Sequence, residues 1–204
     1  DFYNRTRREK LYNKEFWDAA VKELDVEYVF DQKALNRIPK SGPVILIANH
    51  HLGILDSLGM THLLSKVRSD FKMMAIDKIK NASVVQGIQS QLIFVPNKRT
   101  PDLPSPKEIA LKHLKQGGSL ILFPSGFLAT PEKQSKFAFD PMWKCGTLAL
   151  AEASNASIVP LYFHLQNSSL YRNLTRVIPT FKHTMLVTEA LKQRGKKIRV
   201  TIAP

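Results

Sequence analysis

The chain has 204 residues, of which 44% are hydrophobic, and its formal net charge at pH 7 is +13. This length and apolar fraction predict one globular domain with a sizeable core and exclude a disordered chain. No apolar run reaches the roughly 20 residues that a membrane-spanning helix needs, and no signal peptide is visible. The charge fits nucleic acid, an anionic membrane surface or an acidic carrier protein, and alone it ranks none of these partners.

The first predicted element is a helix over residues 12–24, in which the apolar residues recur at helical spacing. They are Phe16, Trp17, Ala20, Val21 and Leu24. Two interpretations stay open for this stripe. The helix either packs on the core or lies on a membrane, with the basic residues of the stretch 5–10 beside it. We treat residues 1–38 as an N-terminal helix and lead-in, possibly facing a membrane, and residues 39–204 as the main part of one domain.

Short apolar runs that are typical of buried strands follow along the chain. They cover residues 26–30, 44–48, 92–95, 120–123, 158–163 and 198–202. Helical patterns lie between them at 56–67, 105–115 and 142–154, and Ser105, Pro106 and Glu108 form a capping signal for the second. Strands that alternate with helices predict an α/β sandwich of one domain, with a largely parallel central sheet flanked by helices.

The single cysteine, Cys145, lies in the apolar run 143–150. We therefore expect a buried, unreactive thiol, because a reactive one needs an accessible, electropositive setting. With one cysteine there is no disulfide framework, which fits a reducing compartment.

Two polar clusters follow predicted strands, where parallel sheets place their ligands. They are Asn49-His50-His51 and Pro124-Ser125-Gly126. A histidine can act as a general base near neutral pH, and it works best when a carboxylate orients its other ring nitrogen. Asp56 follows within a turn that Gly53 permits. The alternatives are a polar strand end that caps the next helix, and a metal site, which no second His or Cys cluster supports.

The order of these motifs resembles the glycerolipid acyltransferase family, whose founding member acylates lysophosphatidic acid. Asn-His followed by Asp is similar to its first motif. The run 92–99, which ends with Lys98 and Arg99, falls where the second motif lies. Phe123-Pro124-Ser125-Gly126 resembles the third motif, Phe-Pro-Glu-Gly, and Ile158-Val159-Pro160-Leu161 resembles the fourth. The stretches 39–43, 140–143 and 159–168 are similar to one bacterial branch, which is labelled hemolysin-like or linked to ornithine-lipid synthesis.

The sequence departs from the family pattern at two places. The family spaces its His and Asp by four residues, which selects His51, but the family's His directly follows Asn, which selects His50. We prefer His50 and keep both. In the third motif, Ser125 replaces the family's Glu, and no Arg follows Gly126. The cations left to bind a phosphate are Lys98, Arg99, Lys78 and Lys80, so a phosphate-bearing acceptor is one of several possible lysolipids.

The resemblance implies an acyltransferase that moves a fatty acyl group from acyl-CoA or acyl carrier protein to a lysolipid hydroxyl. It implies His50 or His51 as the base and Asp56 as its partner, with no metal and no bound cofactor. The expected substrate-binding residues are Asn49, Lys98, Arg99, Phe123, Pro124, Ser125, Gly126 and Pro160. Amides near Ser125 and Gly126 are expected to stabilise the oxyanion.

We expect peripheral attachment to the cytoplasmic face of an anionic membrane, through the N-terminal helix or the apolar region 52–64. A lyso-ornithine lipid is an alternative acceptor to lysophosphatidic acid. The rival functions are a catalytically inactive lipid-binding relative, a thioesterase and a basic nucleic-acid-binding protein; no binding motif supports the last, and we expect no nucleic acid partner.

Overall fold

The computed structural model describes residues 2–96, 103–131, 137–178 and 185–204. The strands, in chain order, are β1 Glu27–Val29, β2 Val44–Ala48, β3 Phe71–Ile76, β4 Leu92–Val95, β5 Ser119–Leu122, β6 Thr130–Pro131, β7 Ala138–Phe139, β8 Ser157–Phe163 and β9 Lys197–Ile202. The α-helices are α1 Phe2–Arg8, α2 Asn13–Leu24, α3 Ile54–Ser65, α4 Pro106–Lys115, α5 Gly146–Ser154, α6 Ser169–Val177 and α7 Leu186–Leu191. Three 3-10 segments, Gln32–Arg37, Asp77–Ile79 and Ser83–Gln91, complete the described elements.

Seven strands form one central sheet in the order β1-β9-β8-β2-β5-β3-β4. The five strands from β8 to β4 are parallel to one another. β9 runs antiparallel to β8, and β1 is parallel to β9. The α/β class with a largely parallel sheet is therefore confirmed. β6 and β7 pair as a separate antiparallel hairpin.

The core has a layer on each face of this sheet. All five residues of β2 and all four of β5 are buried, as expected for central strands covered on both sides. The larger layer gathers residues of α2, α3 and the 3-10 segment Ser83–Gln91 on one face. The smaller layer joins α4 and α5 to the other face. Because β2 lies between β8 and β5, its carboxyl end opens at the centre of the sheet edge.

The structure places the two regions that we considered for membrane attachment in the core. In α2, Phe16 and Trp17 are buried, and Ala20, Val21 and Leu24 pack against the same cluster. This packing corresponds to the first of the two interpretations of the stripe. The apolar region 52–64 is also core, since its leucines and Met60 are at most 3% exposed. This packing corresponds to a core region, and of its apolar residues only Ile54 is exposed.

The environment of Cys145 differs from the expectation of a buried thiol. Cys145 is exposed. The apolar run that contains it is not a helix from its start, because α5 begins only at Gly146. The preceding residues Met142 and Trp143 are 91% and 44% exposed, so the run crosses the surface before it enters the core.

β3 is an element that the sequence pattern did not reveal. In Phe71–Ile76 only Phe71 and Met73 are buried, the strand ends at the exposed Ile76, and Lys72 interrupts the apolar run. A strand of this kind lacks the continuous apolar signal by which the other central strands were found.

Candidate active site

The candidate site lies where β2, β5 and β8 end side by side. Asn49 and His50 follow β2, Phe123 follows β5, and Phe163 is the last residue of β8. Parallel pairing aligns these three ends, since Ile47 is opposite both Leu122 and Pro160. The two polar clusters that were predicted at strand ends therefore meet at one edge of the sheet.

Asn49 joins the end of β2 to the end of β8. Its Oδ1 accepts a hydrogen bond of 2.8 Å from the Phe163 amide, and its Nδ2 donates to the Phe163 carbonyl at 3.1 Å. The side chain thus occupies both backbone groups of one residue, as a paired strand would do. Asn49 is 5% exposed. Its Nδ2 also lies 3.2 Å from His51 Nδ1, and the predicted contact of Asn49 with substrate stays a prediction.

His50 and Asp56 form the closest contact between a histidine and a carboxylate among the described residues. His50 Nδ1 lies 3.3 Å from Asp56 Oδ2. The Asp56 side chain is fully buried, whereas the His50 side chain keeps 17% of its surface exposed. With Nδ1 turned to the carboxylate, the opposite nitrogen, Nε2, is the one left for a ligand.

The local fold explains why Asp56 faces back toward His50. Asp56 lies in the first turn of α3, where its Oδ2 also accepts the amides of Leu52 and Gly53, at 2.6 Å and 3.0 Å. The free amides of a helix start favour a negative charge at this point. Gly53 has φ of +71°, and a β-carbon there would lie 2.8 Å from a Leu186 methyl group, so the turn requires glycine.

A buried tyrosine, Tyr28, forms a hydrogen bond to the first turn of α3. The Tyr28 hydroxyl donates to the Leu55 carbonyl at 2.7 Å. Burial, and after it the charge of Asp56, raises the pKa of Tyr28 well above its ordinary value. Tyr28 therefore stays a neutral donor, and it fixes the start of α3 without adding a second charge beside Asp56.

Phe123 covers one face of the His50 ring. The two rings stack with 3.9 Å between centroids and 17° between planes. This stacking restricts rotation of the imidazole about its Cβ–Cγ bond and excludes water from one face. We had predicted Phe123 as a substrate-binding residue, and the structure places it against the candidate base.

His51 occupies a different environment from His50. Its Nδ1 lies 3.2 Å from Asn49 Nδ2, and its Nε2 lies 3.8 Å from Asp140 Oδ1. Its carbonyl accepts a 2.8 Å bond from Asn167 Nδ2. The His51 side chain is only 7% exposed. His51, which the family's spacing of His and Asp selects, thus forms no contact with Asp56 in the structure.

Asp140 is a site residue that the sequence did not identify. Both of its carboxylate oxygens accept the His50 amide, at 3.0 Å and 3.2 Å, and Oδ2 also accepts the Trp143 indole at 3.0 Å. The stretch that begins at Asp140 was visible only as a mark of the bacterial branch. Its role follows from a contact across 90 residues of sequence, which no local pattern predicts.

The turn after β5 contacts His50, but the Ser125 hydroxyl forms its hydrogen bond within the turn. Ser125 is fully buried, and its Oγ donates to the Phe127 carbonyl at 2.8 Å. The Gly126 amide donates to the Phe123 carbonyl at 2.9 Å, so it is occupied and does not match our expectation of a free donor. Within the described part of the chain, no acceptor takes the Ser125 amide. The His50 carbonyl accepts the Ala129 amide at 2.8 Å, which holds this turn beside the site.

Among the described residues, Pro124, Pro160, Lys78 and Lys80 form no hydrogen bond or ion pair with either histidine. Lys98 and Arg99 lie outside the described residues. Lys78 and Lys80 are exposed at the 3-10 segment after β3. Pro160 lies inside β8 opposite Ile47, and its carbonyl accepts the Ala203 amide at 2.8 Å. Pro124 belongs to the turn after β5, where its carbonyl accepts the Lys144 amide at 3.1 Å.

The described ranges contain neither a metal-binding cluster nor a membrane-spanning helix. In residues 2–96, 103–131, 137–178 and 185–204, no three His, Cys, Asp or Glu side chains are arranged to hold a metal ion. Over the same ranges, no helix combines the length and the apolar character that crossing a bilayer requires.

The chain is similar to known proteins over most of its length. The model of the acyltransferase family matches residues 30–164. Lyso-glycine lipid O-acyltransferases of Phocaeicola vulgatus and Bacteroides thetaiotaomicron are each 24% identical to the chain. These alignments cover 92% of this chain and 67% and 68% of the two relatives.

A solved structure extends the likeness to the fold. The crystal structure of the 1-acyl-sn-glycerophosphate (LPA) acyltransferase PlsC from Thermotoga maritima superposes with a TM-score of 0.58 at 17% identity. The match covers 93% of this chain and 65% of that protein, so the chain spans about two thirds of these relatives.

Proposed function

This chain belongs to the acyltransferase family and is an acyl-transferring enzyme, and from that premise we propose that it acylates a hydroxyl group of a lysolipid. One observation carries the proposal: His50 Nδ1 contacts the buried carboxylate of Asp56, and Nε2 is left to face a substrate. The names of the two lyso-glycine lipid O-acyltransferases support a lysolipid as the acceptor.

The reaction begins at the acceptor hydroxyl, which lies against His50 Nε2. His50 takes the hydroxyl proton while the oxygen attacks the carbonyl carbon of an acyl thioester. Asp56 keeps Nδ1 protonated and stabilises the imidazolium that forms. The carbon–sulfur bond then breaks, and the departing sulfur takes the proton back from His50, which yields an ester and a free thiol.

The oxyanion of the tetrahedral intermediate needs donors that are fixed before the reaction. The turn after β5 is our candidate to supply them, because Phe123, which precedes this turn, stacks on His50. The donor thioester is acyl-CoA or acyl carrier protein, and a net charge of +13 suits the acidic carrier.

We take an amino-acid lysolipid, such as lyso-glycine or lyso-ornithine lipid, as the first acceptor and lysophosphatidic acid as the second. The run Phe127-Leu128-Ala129 carries no cation where the family places the arginine that is thought to bind a phosphate. A phosphate monoester carries more negative charge at pH 7 than a single carboxylate or a zwitterionic headgroup, so it gains more from a fixed cation. The name of the structural relative keeps lysophosphatidic acid in the comparison. We place the enzyme at the cytoplasmic face of a membrane as a peripheral protein.

A mass-spectrometric acyl-transfer assay tests the function. Lyso-glycine lipid, lyso-ornithine lipid and lysophosphatidic acid are each offered with acyl-CoA and with acyl carrier protein. We expect a diacylated product with at least one pair, and its loss in Asp56→Asn, which keeps the shape of the side chain but removes its charge. Free fatty acid without a lipid product would instead identify a thioesterase. Lipid binding with no product from any pair would identify an inactive relative.

A further inference from the structure

A group of exposed apolar side chains borders the candidate site. We call Phe127, Phe137, Phe139, Met142 and Trp143 the aromatic rim. Their exposed fractions run from 44% for Trp143 to 91% for Met142. Single exposed apolar residues are common, but five of this size within 17 residues of sequence mark a surface that contacts something apolar.

Hydrogen bonds and a strand pairing connect two residues of the aromatic rim to His50 through one intermediate residue or hairpin. The Trp143 indole donates to Asp140, whose carboxylate accepts the His50 amide. Phe139 pairs with Thr130 in the β6–β7 hairpin, and the residue before Thr130 donates its amide to the His50 carbonyl. These contacts place Trp143 and Phe139 of the rim beside the candidate site.

A lysine adds positive charge to this surface. Lys144 Nζ lies 4.8 Å from the centre of the Phe127 ring, and its backbone amide is held by the Pro124 carbonyl. The Lys144 side chain is exposed and has no carboxylate partner in the part of the chain that the structure describes. Aromatic rings with a lysine beside them are the composition that the boundary between lipid tails and anionic headgroups favours.

We propose that the aromatic rim is the membrane-docking face of the enzyme and that it inserts among the headgroups of an anionic bilayer. The reason for docking rests on the proposed function, because a lysolipid acceptor resides in a bilayer. The charge of Lys144 and the net charge of +13 complement anionic headgroups. The alternative faces that the sequence offered, on α2 and in the region 52–64, are packed into the core.

Vesicle binding tests the proposal without requiring turnover. Binding of the full chain is measured by flotation with vesicles of phosphatidylcholine mixed with phosphatidylglycerol, and with vesicles of phosphatidylcholine alone. The triple variant Phe127→Ser/Phe139→Ser/Met142→Ser removes three rim side chains and leaves the Trp143–Asp140 contact in place. The matched control Tyr12→Ser/Val29→Ser/Leu191→Ser removes three apolar residues that are 39–54% exposed on other elements.

We expect the triple variant to lower binding to the mixed vesicles by about tenfold or more, since three inserted side chains are lost. The control should bind as the parent does. Lys144→Gln should weaken binding to the mixed vesicles and leave binding to phosphatidylcholine alone unchanged. Binding of the triple variant equal to that of the parent, or an equal loss in the control, would overturn the proposal.

Tryptophan fluorescence gives a second, independent readout in the parent protein. The chain has two tryptophans, of which Trp17 is 6% exposed in the core and Trp143 lies in the rim. Brominated phosphatidylcholine in the vesicles should quench Trp143, and the quenching should disappear in Trp143→Phe. No quenching in vesicle-bound protein would place the docking face elsewhere. If the triple variant keeps vesicle binding but loses turnover only with acyl carrier protein, the rim docks the carrier and the membrane proposal is wrong.

Discussion

At the scale of single residues, the geometry of His50 depends on a carboxylate that does not touch its ring. Both oxygens of Asp140 accept the backbone amide of His50. Asp140 therefore fixes the backbone position from which the imidazole side chain projects. It also accepts the Trp143 indole, so one side chain connects the candidate base to the surface of the molecule. Asp140 is a positioning residue in this account, because it acts through His50.

The role of Asp140 can be measured in kinetics. We expect Asp140→Ala to lower kcat about 5- to 150-fold with a smaller change in KM, because an unsatisfied buried donor costs roughly 1–3 kcal/mol. Asp140→Asn retains one acceptor oxygen and should retain more activity. Asp77→Ala, in a 3-10 segment outside the site, serves as the control. A rise in KM with kcat unchanged would mean that Asp140 binds substrate.

The sequence identified the residue types of the site more completely than their arrangement. Asn49, His50 and His51 were found because they follow a buried strand, and Asp56 because it comes one turn later. Which histidine meets Asp56 depends on the side-chain directions after the strand and on Asn49 holding Phe163. Both facts come from contacts across the sheet, so spacing along the chain could not decide between His50 and His51.

At the scale of elements, α3 positions Asp56 by packing tightly on the sheet and on β1. Gly59, one turn beyond Asp56, provides this close approach. A β-carbon at Gly59 would lie 2.5 Å from the Phe163 ring and 2.6 Å from the Tyr28 ring. Phe163 is also the residue that Asn49 holds, so the helix, the strand end and the site share one contact.

Substitution of Gly59 tests this packing. We expect Gly59→Ala to destabilise the protein by about 1–3 kcal/mol, because the extra methyl group displaces buried rings. Gly146→Ala is the matched control, since no atom lies within 4 Å of the added carbon. It should be neutral or slightly stabilising in a helix. Urea denaturation gives both values, and equal stabilities for the two variants would contradict this packing of α3.

The elements found from sequence have a continuous apolar run, apolar residues at helical spacing or a capping signal. β2 and β4 were predicted with the bounds that the structure shows, and Ser105 caps α4 through the Glu108 amide. β3, with Lys72 inside it, lacks a continuous apolar run, and α6 was missed although Ser168 caps its start. The predicted start of α5 was too early, because the apolar residues before Gly146 lie on the surface and not in the core.

At the scale of the whole molecule, the candidate site and a structural hydrogen-bond network lie at opposite ends of the central strands. The site is at their carboxyl ends, and the network is at their amino ends, which we call the structural edge. At the structural edge, Arg68 donates to the carbonyls of Pro39, Gly42 and Gly117 and forms an ion pair with Asp70 at 2.6 Å. Nearby, His113 Nε2 lies 3.0 Å from the Ser119 carbonyl. Chain order could not predict the strand order, because β3 and β4 lie beyond β5 in the sheet.

His113 makes stability depend on pH at this edge. Burial lowers the pKa of His113 below its ordinary value of 6.5. The hydrogen bond to the Ser119 carbonyl acts to raise this pKa, and the charge of Lys72 acts to lower it further. The unfolded chain therefore takes up the proton first as the pH falls, and stability is lost below about pH 6.5. We expect His113→Gln to reduce the loss of stability between pH values of about 7.5 and 5.5.

Urea denaturation at both pH values measures this effect. Lys112→Gln, on the same helix and exposed, is the control and should show the pH dependence of the parent. An unchanged pH dependence in His113→Gln would show that His113 does not contribute to it.

The central claim is that His50, paired with Asp56, is the base for acyl transfer. The most direct measurement compares the single-turnover rates of His50→Ala and His51→Ala with the parent, for the acceptor that gives product. Both variants are first checked for an unchanged denaturation midpoint. We predict that His50→Ala loses about 10²- to 10⁴-fold in rate, as expected for a general base, and that His51→Ala loses less than about tenfold. A large loss in His51→Ala, with His50→Ala near the parent rate, would contradict the account.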